Sequence, residues 1–320
     1  MSEFLELPAL DGRDPLGFLA ALGLVRLLTD EGEDVGLSFS EETAVARLHG
    51  RFVSHDEVAA MLRDVVDRIP DGGSLPGVKP SFPVPMGQGS DPMRVNPRES
   101  YRDFLAAVAD ESGDDAAAWM RVFVTDLARD DKGRAALTPF AALSAKMNVR
   151  TFCSNPANAV RRHPEALREA LVEWRRLPGF TGEYLDHRAQ RSAADDPSGE
   201  ASTVGVPGAT WLAIMALPLF RIGGDGRRVS ATLWRSAPRQ PAAMVWPLWR
   251  QPLDVQSVVT LLEHPAVSVQ LVDGAARVGP DAWRELRVLG VFSVCAARRL
   301  ATNDYARPLA PLTVYVDEAA

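Results

Sequence analysis

Pro8-Ala9-Leu10-Asp11-Gly12-Arg13-Asp14-Pro15-Leu16-Gly17-Phe18-Leu19-Ala20-Ala21-Leu22-Gly23-Leu24-Val25-Arg26-Leu27-Leu28 is the stretch that decides how the rest of the chain must be arranged. Asp14 can accept from the free N–H groups of a helix start, and Pro15 suits the first helical position. From Leu16 to Leu28 only Arg26 is charged. A helix that is apolar all round is buried all round. Gly17, Ala20, Ala21 and Leu24 lie along one stripe, with Gly23 beside Ala20. Each interior glycine costs roughly 1 kcal/mol of helix propensity against alanine, so two of them in a core helix predict that another backbone passes close by. The stretch predicts a central scaffold helix and holds no group that does chemistry.

Around this helix the chain has 320 residues, 46% of them apolar, enough for one large core or two medium ones. Its 35 basic and 42 acidic residues give a net charge of −7. That balance argues against indiscriminate coating of nucleic acid and leaves room for a local basic groove. Cys153 and Cys295 are the only cysteines and form no CxxC, so a disulfide framework or zinc knuckle is not expected and a reducing cytoplasm fits. The run at 16–28 is too short to span a bilayer, and the acidic Glu3, Glu6 and Asp11 before it are unlike the basic start of a signal peptide. A soluble, cytoplasmic protein with no membrane contact is expected.

Past the first helix, Val35–Ser40 and Ala44–His49 read as two short strands joined at Glu41-Glu42. Ser54-His55-Asp56-Glu57 is a capping box opening a helix whose Val58, Met61, Leu62, Val65, Val66 and Ile69 recur at helical spacing. Residues 70–98 carry seven prolines and five glycines, a loop long enough to be functional or disordered. Asn96-Pro97-Arg98-Glu99 caps a helix with Tyr101, Phe104, Leu105 and Val108 on its inner face, and another helix is expected over Ala116–Ala128. From Lys146 to Arg191 nine basic residues face five acidic ones. Within this segment Pro164 starts a helix with Leu167, Ala170, Leu171 and Trp174 inward. Pro178–Pro207 is a second irregular stretch, followed by an apolar helix over Gly208–Phe220. Short strands at Val229–Arg235, Ala243–Trp249, Val267–Val272 and Leu312–Val316 then alternate with helices begun by Asp254 and by Pro280-Asp281. Helices with scattered antiparallel strands and no βαβ alternation predict an α+β fold. The charge reversal divides it into an N-terminal α+β region at 1–145 and a C-terminal one at 146–320, or one continuous domain.

Few residues could carry chemistry. His55-Asp56 lies in the first turn of a capped helix, where Asp56 complements the helix dipole. Glu183, Asp186 and His187 form the one compact acid–imidazole cluster, suited in residue type to a hydrolytic metal or general base. No HxH, HExxH or DxD pattern supports it, and a hydrogen-bonded loop turned by Gly179 and Gly182 is the favoured reading. Gly223-Gly224-Asp225-Gly226 lacks the Lys-Ser/Thr of a phosphate loop, and no GxSxG occurs. No cofactor, metal site or catalytic residue is assigned. For phosphate contacts the candidates are Arg161, Arg162, Arg175 and Arg176 in the basic segment, and Arg298, Arg299, Tyr305 and Arg307 near the end, where basic and aromatic residues interleave. An ordinary solvated face stands beside the first set as the plain alternative. Met244–Leu253 places two tryptophans and two prolines in ten residues, a base-stacking surface or, more simply, a core strand.

Three segments resemble one protein group. Leu10-Asp11-Gly12 with Asp14-Pro15-Leu16-Gly17-Phe18-Leu19-Ala20-Ala21-Leu22-Gly23 resembles the start of proteins encoded in type I-G (formerly I-U) CRISPR loci, among them the large-subunit family and an extension family found beside the helicase-nuclease. Trp246-Pro247-Leu248-Trp249 with Pro252-Leu253 is similar to a segment found there ahead of a helix. Ala297-Arg298-Arg299, followed by Tyr305, Arg307, Pro308 and Leu309, is similar to one near the end. The likeness covers roughly a third of the chain in preserved order, and the group's helicase and nuclease motifs have no counterpart. It implies a non-enzymatic accessory or large-subunit-like component of a DNA-targeting complex, with other CRISPR effector subunits and RNA or DNA as partners. The rival expectations are a metal-dependent nuclease or phosphohydrolase using Glu183, Asp186 and His187, and a protein-binding scaffold that touches no nucleic acid.

Overall fold

A computed structural model describes residues 4–82, 101–112, 115–130, 132–142, 148–191, 202–237, 240–272, 274–300 and 308–317. Among them the helices are α1 (Pro15–Asp30), α2 (His55–Asp67), α3 (Tyr101–Ser112), α4 (Ala116–Phe123), α5 (Val149–Arg162), α6 (Glu165–Val172), α7 (Pro207–Met215), α8 (Val255–Leu262) and α9 (Pro280–Val288). The Asp14 carboxylate accepts from Leu16 N at 2.9 Å and Gly17 N at 3.3 Å, and Pro15 follows at the first helical position. Every α1 residue from Pro15 to Val25 is buried, with Leu27 and Leu28. Arg26 is accommodated because it donates to Met215 O at 2.7 Å and pairs with Asp30 at 2.9 Å. The close backbones implied by the two glycines are present. A Cβ on Gly23 would lie 1.7 Å from Leu212 O in α7, and one on Gly17 would lie 2.4 Å from Asp11 O.

The fold is α+β. The strand β1 (Phe4–Asp11) pairs antiparallel with β3 (Val45–His49), which pairs with β2 (Gly36–Phe39). The larger sheet has six antiparallel strands in the order Leu309–Leu312, Val291–Arg299, Gln240–Trp249, Trp234–Ala237, Val229–Ala231 and Ile222–Gly224. Its longest strand, Gln240–Trp249, contains Pro247, which cannot donate to a ladder. The Val245 N–H donates to Leu233 O at 2.8 Å, so Pro247, two residues on, points the same way but beyond the last pairing with Trp234–Ala237. The missing donor therefore costs no ladder bond there.

Trp246 and Trp249 fasten this sheet to the N-terminal layer. Trp246 Nε1 donates to Gly12 O and Trp249 Nε1 to Leu37 O, both at 2.7 Å, and Phe18 stacks on Trp246 at 5.5 Å. Both tryptophans are fully buried, so the Met244–Leu253 segment is core. One hydrophobic cluster runs from Leu7 to Leu309, and residues on both sides of position 145 share it. Trp246→Phe keeps the ring and strands the Gly12 carbonyl. A loss of about 1–3 kcal/mol in denaturant unfolding is expected, the cost of one buried unpaired group. A loss near zero would mean that water reaches Gly12.

Several elements differ from the sequence reading. The helix expected over Ala116–Ala128 stops at Phe123, and Val124–Arg129 pairs as a strand with Ala135–Leu137. Val124 and Thr125 are β-branched, and their pairing with Leu137 and Ala136 outweighs the helical spacing upstream. Leu105 is 37% exposed rather than inward. Ser54 caps α2 by accepting from Glu57 N, but Glu57 turns to Arg51 at 2.5 Å. Helix α5 was not anticipated because Pro156 stands inside it. Its start is nevertheless closed by a reciprocal box between Asn148 and Thr151. One strand pair, Ala275–Val278 with Val314–Val316, is parallel. The Asn96–Glu99 cap lies outside the described residues.

Candidate nucleic-acid interface

The candidate arginines divide by what their guanidinium groups already hold. At the end of α5, Arg161 reaches back to the end of α2 and donates to Ile69 O at 2.9 Å, Gly73 O at 3.0 Å and Pro70 O at 3.2 Å. Arg176 donates to Val204 O at 2.9 Å and pairs with Asp186 at 2.7 Å. Arg299 holds the carbonyls of Phe140, Tyr184 and Pro139 at 2.6, 3.1 and 3.2 Å. These three tie separate segments together. Arg162 is exposed and donates to Asn158 O of its own helix, and Arg175 is exposed beside Glu169 at 3.5 Å. Arg298 is half-buried between Ala243 and Ala310 in the sheet register. Successive strand side chains point to opposite faces, so Arg298 and Arg299 cannot serve one phosphate run. Tyr305 and Arg307, like Lys146, lie outside the described residues.

The Glu183, Asp186 and His187 cluster forms a strained loop. Gly182, Glu183 and Tyr184 have φ of 62°, 50° and 59°, three consecutive residues in the left-handed region. Non-glycine residues held there cost of order 1–3 kcal/mol each and persist only where the surroundings fix them. Here Asp186 does much of the fixing. It is 1% exposed and caps the turn through Arg188 N at 2.8 Å. Its carboxylate lies between Arg176 at 2.7 Å and Arg188 at 3.2 Å, and Arg188 continues to Asp14 at 2.7 Å, tying the loop to the start of α1.

Glu183 is 0% exposed, with Oε2 lacking a hydrogen-bond partner among the described residues. Burial pushes its carboxyl up to about 8, against hydrogen bonds from Asn155 and Thr181. Among the described residues no group of three or more His, Cys, Asp or Glu side chains is placed to hold a metal. Two carboxylates sealed from solvent, one of them clasped by two arginines, can brace a loop but cannot reach a substrate.

An open basic surface occurs instead on α9, where the sequence reading placed no candidate. A cleft of about 590 Å³ is lined by Pro280, Trp283, Arg284, Arg287 and Val288 of α9, with Arg250 and Asp317 opposite. Leu286 is the buried residue of this helix, while Trp283 is half-buried and Arg284, Arg287 and Val288 are exposed. Arg250 is positioned by Glu41 at 3.3 Å and by Gly290 O. Arg284 pairs with Asp281 at 3.0 Å, with side chains 68% and 91% exposed, a contact weak enough to exchange for a phosphate. Asp317 pairs with Arg277 at 3.2 Å. Three guanidinium groups and one carboxylate therefore line the cleft, and of these Arg250, Arg284 and Asp317 each hold an ion pair, with Glu41, Asp281 and Arg277 in turn. The signal in the sequence is the spacing 280, 283, 284, 287 and 288, one helical stripe that mixes apolar and basic residues.

No protein-family model and no curated protein matches this chain. No helix among the described residues is long and apolar enough to cross a membrane.

Proposed function

We propose that this protein is a non-enzymatic accessory or large-subunit-like component of a CRISPR defence complex that contacts nucleic acid through the α9 cleft. The observation that carries the nucleic-acid part is the cleft itself: Arg250, Arg284 and Arg287 gathered around a half-buried tryptophan on a chain of net charge −7. In an acidic protein, phosphate contacts must be concentrated where cations cluster, and arginine can hold phosphate oxygens bidentately. The three resembling segments behind the CRISPR part meet one another. Gly12 accepts from Trp246, Trp246 is paired with Cys295, and Met244 with Ala297 beside Arg298 and Arg299. These contacts place the three segments in one structural unit, and the CRISPR reading itself rests on their resemblance in sequence.

The test is a salt titration of affinity for mixed-sequence oligonucleotides, with the protein alone and with its neighbouring gene products. Charge reversal of Arg284 and Arg287 is expected to weaken binding and to flatten the dependence of log K on log salt by up to about two units, one per phosphate contact. Reversal of Arg227 and Arg228, equally charged and exposed in a hairpin turn, is expected to change it far less. Equal losses from both pairs, or no salt-dependent binding in either setting, would remove the reading and leave the protein-binding scaffold.

A further inference from the structure

We propose that the α9 cleft takes single-stranded nucleic acid, with one unpaired base laid on the Trp283 indole and the flanking phosphates held by Arg284, Arg287 and Arg250. The inference rests on the cleft being the contact surface and goes on to name what enters it. Trp283 and Arg287 are four residues apart on α9, as are Arg284 and Val288, so each pair occupies adjacent turns of one face. That face is turned to the cleft. Val288, at 82% exposure, is an apolar group that the core has not taken up, and Trp283 packs against the core yet stays only half-buried beside the cleft, whereas Leu286 on the other side of the helix is fully buried. An apolar stripe flanked by guanidinium groups suits a ligand that presents an aromatic face and negative charges at once.

A nucleotide with an unpaired base is such a ligand, and a duplex is not. In a duplex the base faces are covered by their neighbours and only edges reach the grooves, so an indole within a cleft has nothing to stack on. Single strands bind proteins by the arrangement seen here, a cationic track with an aromatic platform. The volume of about 590 Å³ falls within the usual range for small-ligand pockets, enough for a nucleotide.

The walls are also held in place. The chain leaves α9 through Gly290 at φ 82°, and a Cβ there would lie 1.9 Å from the Gln251 side chain. The turn after α9 is therefore packed against the residue that follows Arg250. Arg250 reaches the Gly290 carbonyl through Nε at 3.5 Å and pairs with Glu41 at 3.3 Å. Of the nearby acids, Glu41, Asp281 and Asp317 each have an arginine partner, and Glu285 lies 3.7 Å from His264.

The experiment compares a labelled single strand with the duplex of the same sequence on the intact chain. The wild type is expected to favour the single strand. Trp283→Ala is expected to lose about 5- to 150-fold in single-strand affinity, the range for removing one base stack, and to leave duplex affinity unchanged. Because Trp283 is half-buried, Trp283→Phe serves as the fold-preserving variant. It should keep most of the affinity and remove the share of tryptophan quenching that single-strand binding produces in the wild type. Equal affinity for both forms, with quenching identical in wild type and Trp283→Phe, would overturn the inference. If charge reversal of Arg284 and Arg287 still abolished salt-dependent binding, the α9 cleft would remain a contact surface that reads backbone alone. If that reversal also had no effect, the proposed function would fall with it. Competition by a nucleoside monophosphate at concentrations matching the oligonucleotide would identify a free-nucleotide pocket and overturn the single-strand assignment.

Discussion

Gly23→Leu is expected to cost about 3 kcal/mol or more, the upper end of what overpacking a core does. The usual relief is a neighbouring side chain that rotates away. None is available, because the first atom beyond Gly23 is the Leu212 carbonyl oxygen at 1.7 Å from the added Cβ, followed by Leu212 C at 2.7 Å and Ala216 N at 3.0 Å. Only translation of α7 away from α1 makes room. Helix α7 is itself in backbone contact with α6, where a Cβ on Gly208 would meet Ala166 O at 1.9 Å. Even Gly23→Ala, which should gain about 1 kcal/mol of helix propensity, is therefore expected to lose stability. Gly279→Ala is the control, since nothing lies within 4 Å of its added Cβ. Gly279 is the N-cap of α9, where alanine is less favourable than glycine, so its change should stay at or below about 1 kcal/mol. The measurement is chemical denaturation of the three variants, and a Gly23→Leu protein with wild-type stability would show that the two helices are not in backbone contact.

The same pair of helices shows what a sequence can and cannot disclose. Gly17 and Gly23 announce a close backbone because glycine inside an apolar helix has a local cost that only packing repays. Their partners are not announced: Gly17 meets the backbone of Asp11, and Gly23 meets Leu212 in an apolar helix like many others. Capped starts were legible at Asp14, Ser54 and Asp254, where one side chain satisfies N–H groups two or three residues away. The six-stranded sheet was not. Its first four strands, within 222–249, are separated from Val291–Arg299 and Leu309–Leu312 by α8 and α9, and pairing between Trp246 and Cys295 leaves no short-range signal. At the candidate interface, charge was legible but its availability was not. Arg161, Arg176 and Arg299 look no different in sequence from Arg284 and Arg287, yet their donors hold carbonyl oxygens or Asp186 from distant segments. Loop carbonyls are satisfied by whichever donor the fold brings near, and no periodicity encodes that.

Raising the pH from 4.5 to 8 is expected to destabilise the wild-type protein through Glu183 alone by roughly 4 kcal/mol, the part of a displacement of about three and a half units, at about 1.4 kcal/mol each, that falls inside this window. The sign follows from which form the fold prefers. Burial raises the folded-state value from 4.5 to about 8, so the folded protein keeps the proton over a range in which the unfolded chain has released it. The contribution is complete below about 4.5, declines as the pH rises toward 8, and changes no further above that. The groups that sense its charge are Cys153 on α5 and Tyr184 beside it, and a Glu183 anion would disfavour ionisation of both. Asp14 is also raised by burial and has the same sign, so the raw curve of stability against pH cannot isolate Glu183. The difference between wild type and Glu183→Gln does. Gln keeps the shape and is neutral at every pH, so the two proteins should be closest in stability near pH 5 and separate steadily up to pH 8, with the variant the more stable. Parallel curves would mean that the carboxylate is ionised inside the fold. Because Glu183 Oε2 is buried with no hydrogen-bond partner among the described residues, an anion there would be an uncompensated buried charge, which is why the protonated form is expected.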